Sequence, residues 1–264
     1  MICKICKNNT IPFAQAQVIN KYTVQYFWCN HCGFMQTEEP YWLEEAYVSA
    51  INDSDVGLVN RNIVFSRIVR TVLLLFFNSQ AKFMDYGGGY GLFVRMMRDA
   101  GFDFYRFDQY CENIFVKEFE ANLKSGNRYE LVTAFEVFEH FTNPLSEIEQ
   151  IFKYSDSILF STVLLPVHLP KPDKWWYYGL QHGQHVALYM QKTLLFIANV
   201  LGLNLYFGEN NFFLLTKKKI PRLLFRLATN YKFSLLLNVF LKSRKRTFLI
   251  DDYYKSINKN SEKP

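Results

Sequence analysis

Between residues 58 and 77 apolar side chains recur every three or four positions, with Ile63, Val64, Ile68, Val69, Val72 and Leu73 on one stripe. That period predicts a helix with one face in a core. The rhythm then changes. Residues 82–86 and 104–108 read as short strands, separated by a glycine-rich turn and a helix over 92–100 that Gly101 stops. A weaker strand is expected over 115–119. The run 130–135 is apolar without alternation, as in a strand covered on both faces. A helix opened by Asn143-Pro144 runs to 153, and another strand follows over 157–164. A helix over 191–201 ends at Gly202, and strands 203–207 and 212–217 form a hairpin around Gly208, Glu209, Asn210 and Asn211. Strands alternating with helices imply right-handed crossovers and a doubly wound α/β architecture. Here that is a mostly parallel seven-stranded sheet whose last hairpin adds an antiparallel strand.

The first forty residues follow neither rhythm. Cys3 and Cys6, then Cys29 and Cys32, form two C-x-x-C pairs, and 22–28 reads as a strand leading into the second. Each pair sets two thiolates on a tight turn, where they can take adjacent corners of a tetrahedron. Two such knuckles make a closed four-cysteine site for Zn2+, structural rather than catalytic because no coordination position stays open. His31, between two of these ligands, reads as a solvent-facing knuckle residue, and Cys111 has no partner in sequence. The expected organisation is a zinc ribbon over 1–40 and a main domain over 41–217, of which 41–80 are a linker or lid and the leading helix. A basic helical appendix over 218–264 completes it.

Composition refines this picture. Half of the 264 residues are apolar and 18% are aromatic, ample for a buried core. No apolar run approaches the roughly 18 residues of a membrane span, and no charged-then-apolar leader opens the chain, so a cytoplasmic location is expected. The formal charge of +6 is unevenly spread: residues 1–216 carry 17 Lys/Arg against 21 Asp/Glu, and 217–264 carry 13 against 3. A mildly acidic body, with three Lys and no Arg in residues 1–40, weighs against a nucleic-acid partner. In the tail, Lys217, Lys218 and Lys219, and Lys242, Arg244, Lys245 and Arg246, flank leucines and phenylalanines. That composition fits a docked helix with a solvated basic face, or helices making peripheral contact with a membrane surface.

The turn after the first strand of the main domain is Asp85-Tyr86-Gly87-Gly88-Gly89-Tyr90-Gly91. Gly87, Gly89 and Gly91 let the backbone approach a ligand at the strand's carboxyl end. A dinucleotide fingerprint would need a further glycine at Leu92 or Val94, so the spacing suits a small zwitterion instead, with Asp85 receiving its ammonium group directly or through water. Asp108, at the end of the second strand, can accept both hydroxyls of a ribose. With the string 130–141, ELVTAFEVFEHF, these residues make the chain resemble the class I methyltransferases that bind S-adenosylmethionine. The resemblance covers about residues 60–217 and implies a Rossmann-like methyltransferase fold, S-adenosylmethionine as cofactor, and Phe135, Glu136 and Val137 at its methionine end. The stretch 175–194 is similar to a subgroup with an N-terminal zinc ribbon, some of whose members methylate sugars or other small molecules. The family's acid after the third strand has no clear counterpart, Glu118 and Glu120 being the nearest carboxylates.

Methyl transfer needs a nucleophile in line with the methyl group and, for O–H or C–H acceptors, a base. His185, Tyr189 and His140 are the candidate catalytic set, with His185 the first choice for base because an unshifted imidazole titrates near neutrality. The sugar C-methyltransferases carry an acid–His pair there, whereas this chain has Gln184 before His185. Trp175, Trp176, Tyr177 and Tyr178 read as an aromatic lid or platform, and Gly183 as a flexible point between His182 and His185. The expected activity is methylation of a small-molecule acceptor, such as a sugar or cell-envelope precursor. The alternatives are an RNA methyltransferase gripping its substrate with the ribbon, and a non-catalytic zinc-stapled binding module.

Overall fold

A computed structural model of the chain describes residues 1–48, 55–240 and 245–261. Residues 49–54 of the expected linker, Leu241, Lys242 and Arg244 of the basic run, and 262–264 lie outside the described residues. The main body is a six-stranded sheet built from β4 (Lys82–Tyr86), β5 (Asp103–Phe107), β6 (Leu131–Phe135), β7 (Ser157–Ser161), β9 (Asn204–Phe207) and β10 (Phe212–Thr216). Their order across the sheet is β5-β4-β6-β7-β10-β9. The first four run parallel, and β10 lies antiparallel to both β7 and β9. The structure therefore corrects the expected seven strands to six among the described residues. Where 115–119 should have added a strand, only a single parallel bridge forms, from Arg106 to Glu120. The segment instead closes a turn, in which the Phe119 N–H donates to the Val116 carbonyl.

Helices cover both faces, as a doubly wound sheet requires. On one face α2 (Leu58–Phe76) and α3 (Leu92–Asp99) bury Val69, Val72, Phe93 and Met97 against Phe83, Phe104 and Leu131. On the other, α4 (Pro144–Phe152) and α5 (Gln191–Val200) bury Ile148, Ile151, Leu194 and Ile197 against Phe160 and Phe213. The tail is docked on the first of these faces. α6 (Arg222–Thr229) and α7 (Tyr231–Phe240) pack on α2. Asp252, buried in α8 (Leu249–Ser261), accepts two bonds from the Arg98 guanidinium at 2.7 and 2.8 Å. No helix among the described residues is long and apolar enough to cross a membrane.

The N-terminal segment forms a second sheet, β1 (Ile11–Val18), β2 (Tyr22–Trp28) and β3 (Met35–Thr37). Its fourth strand comes from far along the chain: β8 (Ala187–Leu188) pairs with β3 through Met35–Leu188 and Gln36–Ala187. Cys3, Cys29, Cys32 and Phe34 share a core with Phe138, Phe160 and Tyr189 of the main body. Trp42, in front of the short helix α1 (Leu43–Ala46), is buried and donates its indole N–H to the Gly183 carbonyl at 2.8 Å.

Candidate active site

At the carboxyl end of β4 the chain turns sharply. Gly87 has φ +70°, and a Cβ placed on it would lie 2.5 Å from Cγ2 of Val137, so glycine is required both by conformation and by the loop above it. The Gly89 N–H donates to Oδ2 of Asp108 at 2.9 Å. Oδ1 of Asp108 accepts the N–H groups of Tyr110 and Cys111 at 2.8 and 2.9 Å. The turn and the carboxylate at the end of β5 are thus one hydrogen-bonded unit. Arg106, 2% exposed, braces that unit from below: it donates to the carbonyls of Gly89 and Cys111 and pairs with Glu120. Glu120 is therefore committed to Arg106, with Asn113 as a further donor at 2.8 Å.

Above the turn opens a cavity of about 540 Å³, a size suited to a small-molecule ligand. Gly87, Gly89 and Asp108 line one end, Phe135, Glu136 and Val137 the middle, and His140, His182 and His185 the other end. Glu136 has φ +52°, uncommon for a residue with a side chain, and its Oε1 accepts the Ser161 hydroxyl at 2.6 Å. Gly91 adopts φ +88° and caps α3 from behind the cavity. Asp85 departs from expectation. It does not line the large cavity but a recess of about 100 Å³ beneath the turn, where the Thr133 hydroxyl donates to Oδ1 at 2.6 Å. Burial pushes its carboxyl up to about 7, against the downward pull of Thr133.

A family model described as a methyltransferase domain matches residues 61–206, more than half of the chain. The chain belongs to that family. It is a methyltransferase-domain protein. Among solved structures it is similar to the plantazolicin methyltransferase BpumL in complex with SAH, at 14% identity and a TM-score of 0.48, with 74% of this chain and 89% of that one covered. An O-methyltransferase family protein from Burkholderia thailandensis matches at 14% identity and a TM-score of 0.44, over 60% of this chain. That match spans only 55% of the Burkholderia protein. The magnesium protoporphyrin IX methyltransferase ChlM from Synechocystis PCC 6803 matches at 13% identity and a TM-score of 0.41, covering 67% of this chain and 94% of that one. No curated protein matches by sequence.

At the other end of the cavity, His185 donates from Nδ1 to the Tyr177 carbonyl across 2.6 Å, so its Nε2 keeps the lone pair. Burial lowers His185 to about 4, and lowers His182 to about 4 with help from the His185 charge. His140 is lowered by burial and by both other imidazoles, and its Nδ1 meets the Tyr47 hydroxyl at 2.9 Å. Three neutral histidines therefore cluster, with ring centroids 5.0 Å apart for His140–His185 and 4.7 Å for His182–His185. Tyr189 does not join them, a correction to the expected catalytic set. It is fully buried outside the cavity wall and donates its hydroxyl to the Phe138 carbonyl at 2.7 Å. The aromatic lid is likewise narrower than expected: Trp176 is 74% exposed at the cavity mouth, whereas Tyr177 and Tyr178 are buried. Gly183 is not a loose point either, for a Cβ on it would lie 2.6 Å from Cγ1 of Val18 in β1.

Several lining residues escape sequence reasoning. Glu139 is fully buried beside His140, its Oε1 accepting the Tyr177 hydroxyl at 2.7 Å. Arg61 and Asp55 form an ion pair of 2.5 Å at the cavity edge, and Tyr47 stacks on Tyr110 with centroids 4.3 Å apart. Arg106 did carry a signal, an arginine at a buried position of a five-residue strand.

The four N-terminal cysteines converge, their Sγ atoms all within 4.8 Å of one another. The closest approaches are Cys3–Cys32 at 3.6 Å and Cys6–Cys29 at 3.4 Å. Such separations approximate the edges of a tetrahedron of sulfur around an ion held at about 2.3 Å. Cys111 lies elsewhere, in the wall of the large cavity.

Proposed function

We propose that the chain moves the methyl group of S-adenosylmethionine to a small-molecule acceptor, of the kind of a sugar or a cell-envelope precursor. The observation that carries this reading is the single cavity that joins the Gly87–Gly89–Asp108 unit at one end to His140, His182 and His185 at the other. Asp108 takes the ribose hydroxyls, the glycine turn passes the cofactor close to the backbone, and Phe135, Glu136 and Val137 lie along its methionine end. Acidic walls and aromatic rings suit a sulfonium. His185, neutral and held by Tyr177, faces the acceptor and orients it.

Cys3, Cys6, Cys29 and Cys32 hold Zn2+, which supplies no chemistry to the transfer. It fixes the ribbon of residues 1–40, and the ribbon, through the β3–β8 pairing two residues after His185, fixes the acceptor end of the main domain of residues 41–217. The appendix of residues 218–264 offers a membrane-facing surface: Leu223, Leu236 and Val239 are 71, 58 and 67% exposed, beside exposed Arg222, Arg226 and Lys232. Methyl uptake from labelled S-adenosylmethionine, screened over nucleotide-sugars and envelope precursors, tests the acceptor class. Transfer to RNA and to none of these small molecules would overturn it.

A further inference from the structure

The acceptor end of the cavity holds a set of donors that methyl transfer from a sulfonium does not by itself require. Glu139, His140 and His185 each offer one ligand atom, and the three atoms lie within 4.8 Å of one another. They come from separate stretches: the turn after β6 supplies Glu139 and His140, and the loop before β8 supplies His185. Glu139 is 0% exposed. Tyr177 occupies its Oε1, and Oε2, equally buried, has no hydrogen-bond partner among the described residues. An orphaned carboxylate oxygen away from water is costly, and a cation beside it removes the cost.

The imidazoles are prepared in the same sense. The Tyr177 carbonyl accepts from Nδ1 of His185 and leaves the lone pair on its Nε2, and the Tyr47 hydroxyl meets Nδ1 of His140 at 2.9 Å. Outer partners of this kind set the tautomer and angle of metal-binding histidines. Tyr177 does both jobs at once, through its hydroxyl to Glu139 and its carbonyl to His185. The surrounding field favours a cation, for Asp55, Asp108, Glu136, Glu139 and Glu147 line the cavity against Arg61 alone among its described lining residues.

We propose that Glu139, His140 and His185 bind a divalent first-row metal ion that holds the oxygen of the methyl acceptor against the sulfonium. This rests on the methyltransferase reading of the cavity and deepens it. Two imidazoles and one carboxylate leave coordination positions open, as a substrate-binding metal requires. The ion selects acceptors that present a hydroxyl with a second oxygen close by. The bound hydroxyl loses its proton to water, and an oxygen lone pair forms the bond to the methyl carbon. The carbon–sulfur pair returns to sulfur, giving the methylated oxygen and S-adenosylhomocysteine.

The test uses the full, zinc-loaded chain and Mn2+, which binds thiolate sites weakly and reports by electron paramagnetic resonance. Wild type is expected to take up one Mn2+ per chain. Glu139→Gln and His140→Ala should each weaken that binding by at least about tenfold while S-adenosylhomocysteine affinity, read by calorimetry, stays within about threefold. Should Glu139→Gln fail to bind S-adenosylhomocysteine, His140→Ala and His185→Ala carry the comparison. Wild type that takes up no Mn2+, or a folded variant that keeps wild-type Mn2+ affinity, overturns the site. Absence of S-adenosylhomocysteine binding in wild type would sink the methyltransferase reading of the cavity instead, and the Mn2+ titration would still decide the metal site.

Discussion

The two ends of the cavity are built differently. The end proposed for the cofactor is made between Gly87 and Cys111, mostly by backbone: two glycines, the N–H groups that hold Asp108, and one buried arginine that braces them. The end proposed for the acceptor is made by side chains from four stretches, at Tyr47, Glu139–His140, Trp176–Tyr177 and His182–His185. The β3–β8 pairing, the Val186–Glu139 backbone bond and the Tyr177–Glu139 bond bring these stretches together. Backbone sites are local and resist substitution elsewhere. Side-chain sites depend on every element that positions them.

The largest expected effect follows from that dependence. Cys29→Ser should empty the four-cysteine cluster of zinc and abolish methyl transfer, since structural zinc contributes on the order of 10 kcal/mol to folding of small modules. S-adenosylhomocysteine binding should fall much less than turnover. Zinc content, thermal melting and calorimetry on one preparation would check this, and equal loss of both functions would break the distinction between the two ends. Gly87→Val comes next. It places a side chain at φ +70° and against Val137, so cofactor affinity should drop by about a hundredfold, with left-handed strain alone costing roughly 1–2 kcal/mol.

A third expectation concerns Asp85, whose carboxyl burial raises to about 7. A carboxyl raised in the folded state binds its proton more tightly there than in the unfolded chain. The protein should therefore lose stability as pH rises from about 4 to 7, by up to ~1.4 kcal/mol per pH unit from this group, and level off above. Asp85→Asn should flatten that part of the profile in denaturant titrations of the cofactor-free protein. An unchanged profile would place the charge of Asp85 in water. The smallest effect is reserved for Trp176→Ala at the cavity mouth: a rise of a few-fold in the acceptor KM, with cofactor affinity unchanged, measured by steady-state kinetics.

The same contrast explains what could be read from the chain. The glycine turn, Asp108 and the strands around them follow from local spacing, and the paired C-x-x-C motifs brought four sulfurs together as their spacing implied. The strand at 115–119 did not form: the chain turns between Val116 and Phe119 and meets β5 in one bridge, at Arg106 and Glu120. Tyr189 looked catalytic by its distance from His185 along the chain, but the pairing of β8 with β3 leaves its hydroxyl on the Phe138 carbonyl. Glu139 was invisible as a site residue because it is held in the cavity wall by Tyr177, 38 residues away in sequence.

The central claim is that the Gly87–Gly89–Asp108 unit is where S-adenosylmethionine binds. Calorimetric titration of S-adenosylhomocysteine into wild type and Asp108→Ala tests it directly. One site per chain is expected in wild type, weakened about tenfold to a hundredfold in the variant, the value of hydrogen bonds to a charged group. Equal affinity in the two proteins would contradict the account.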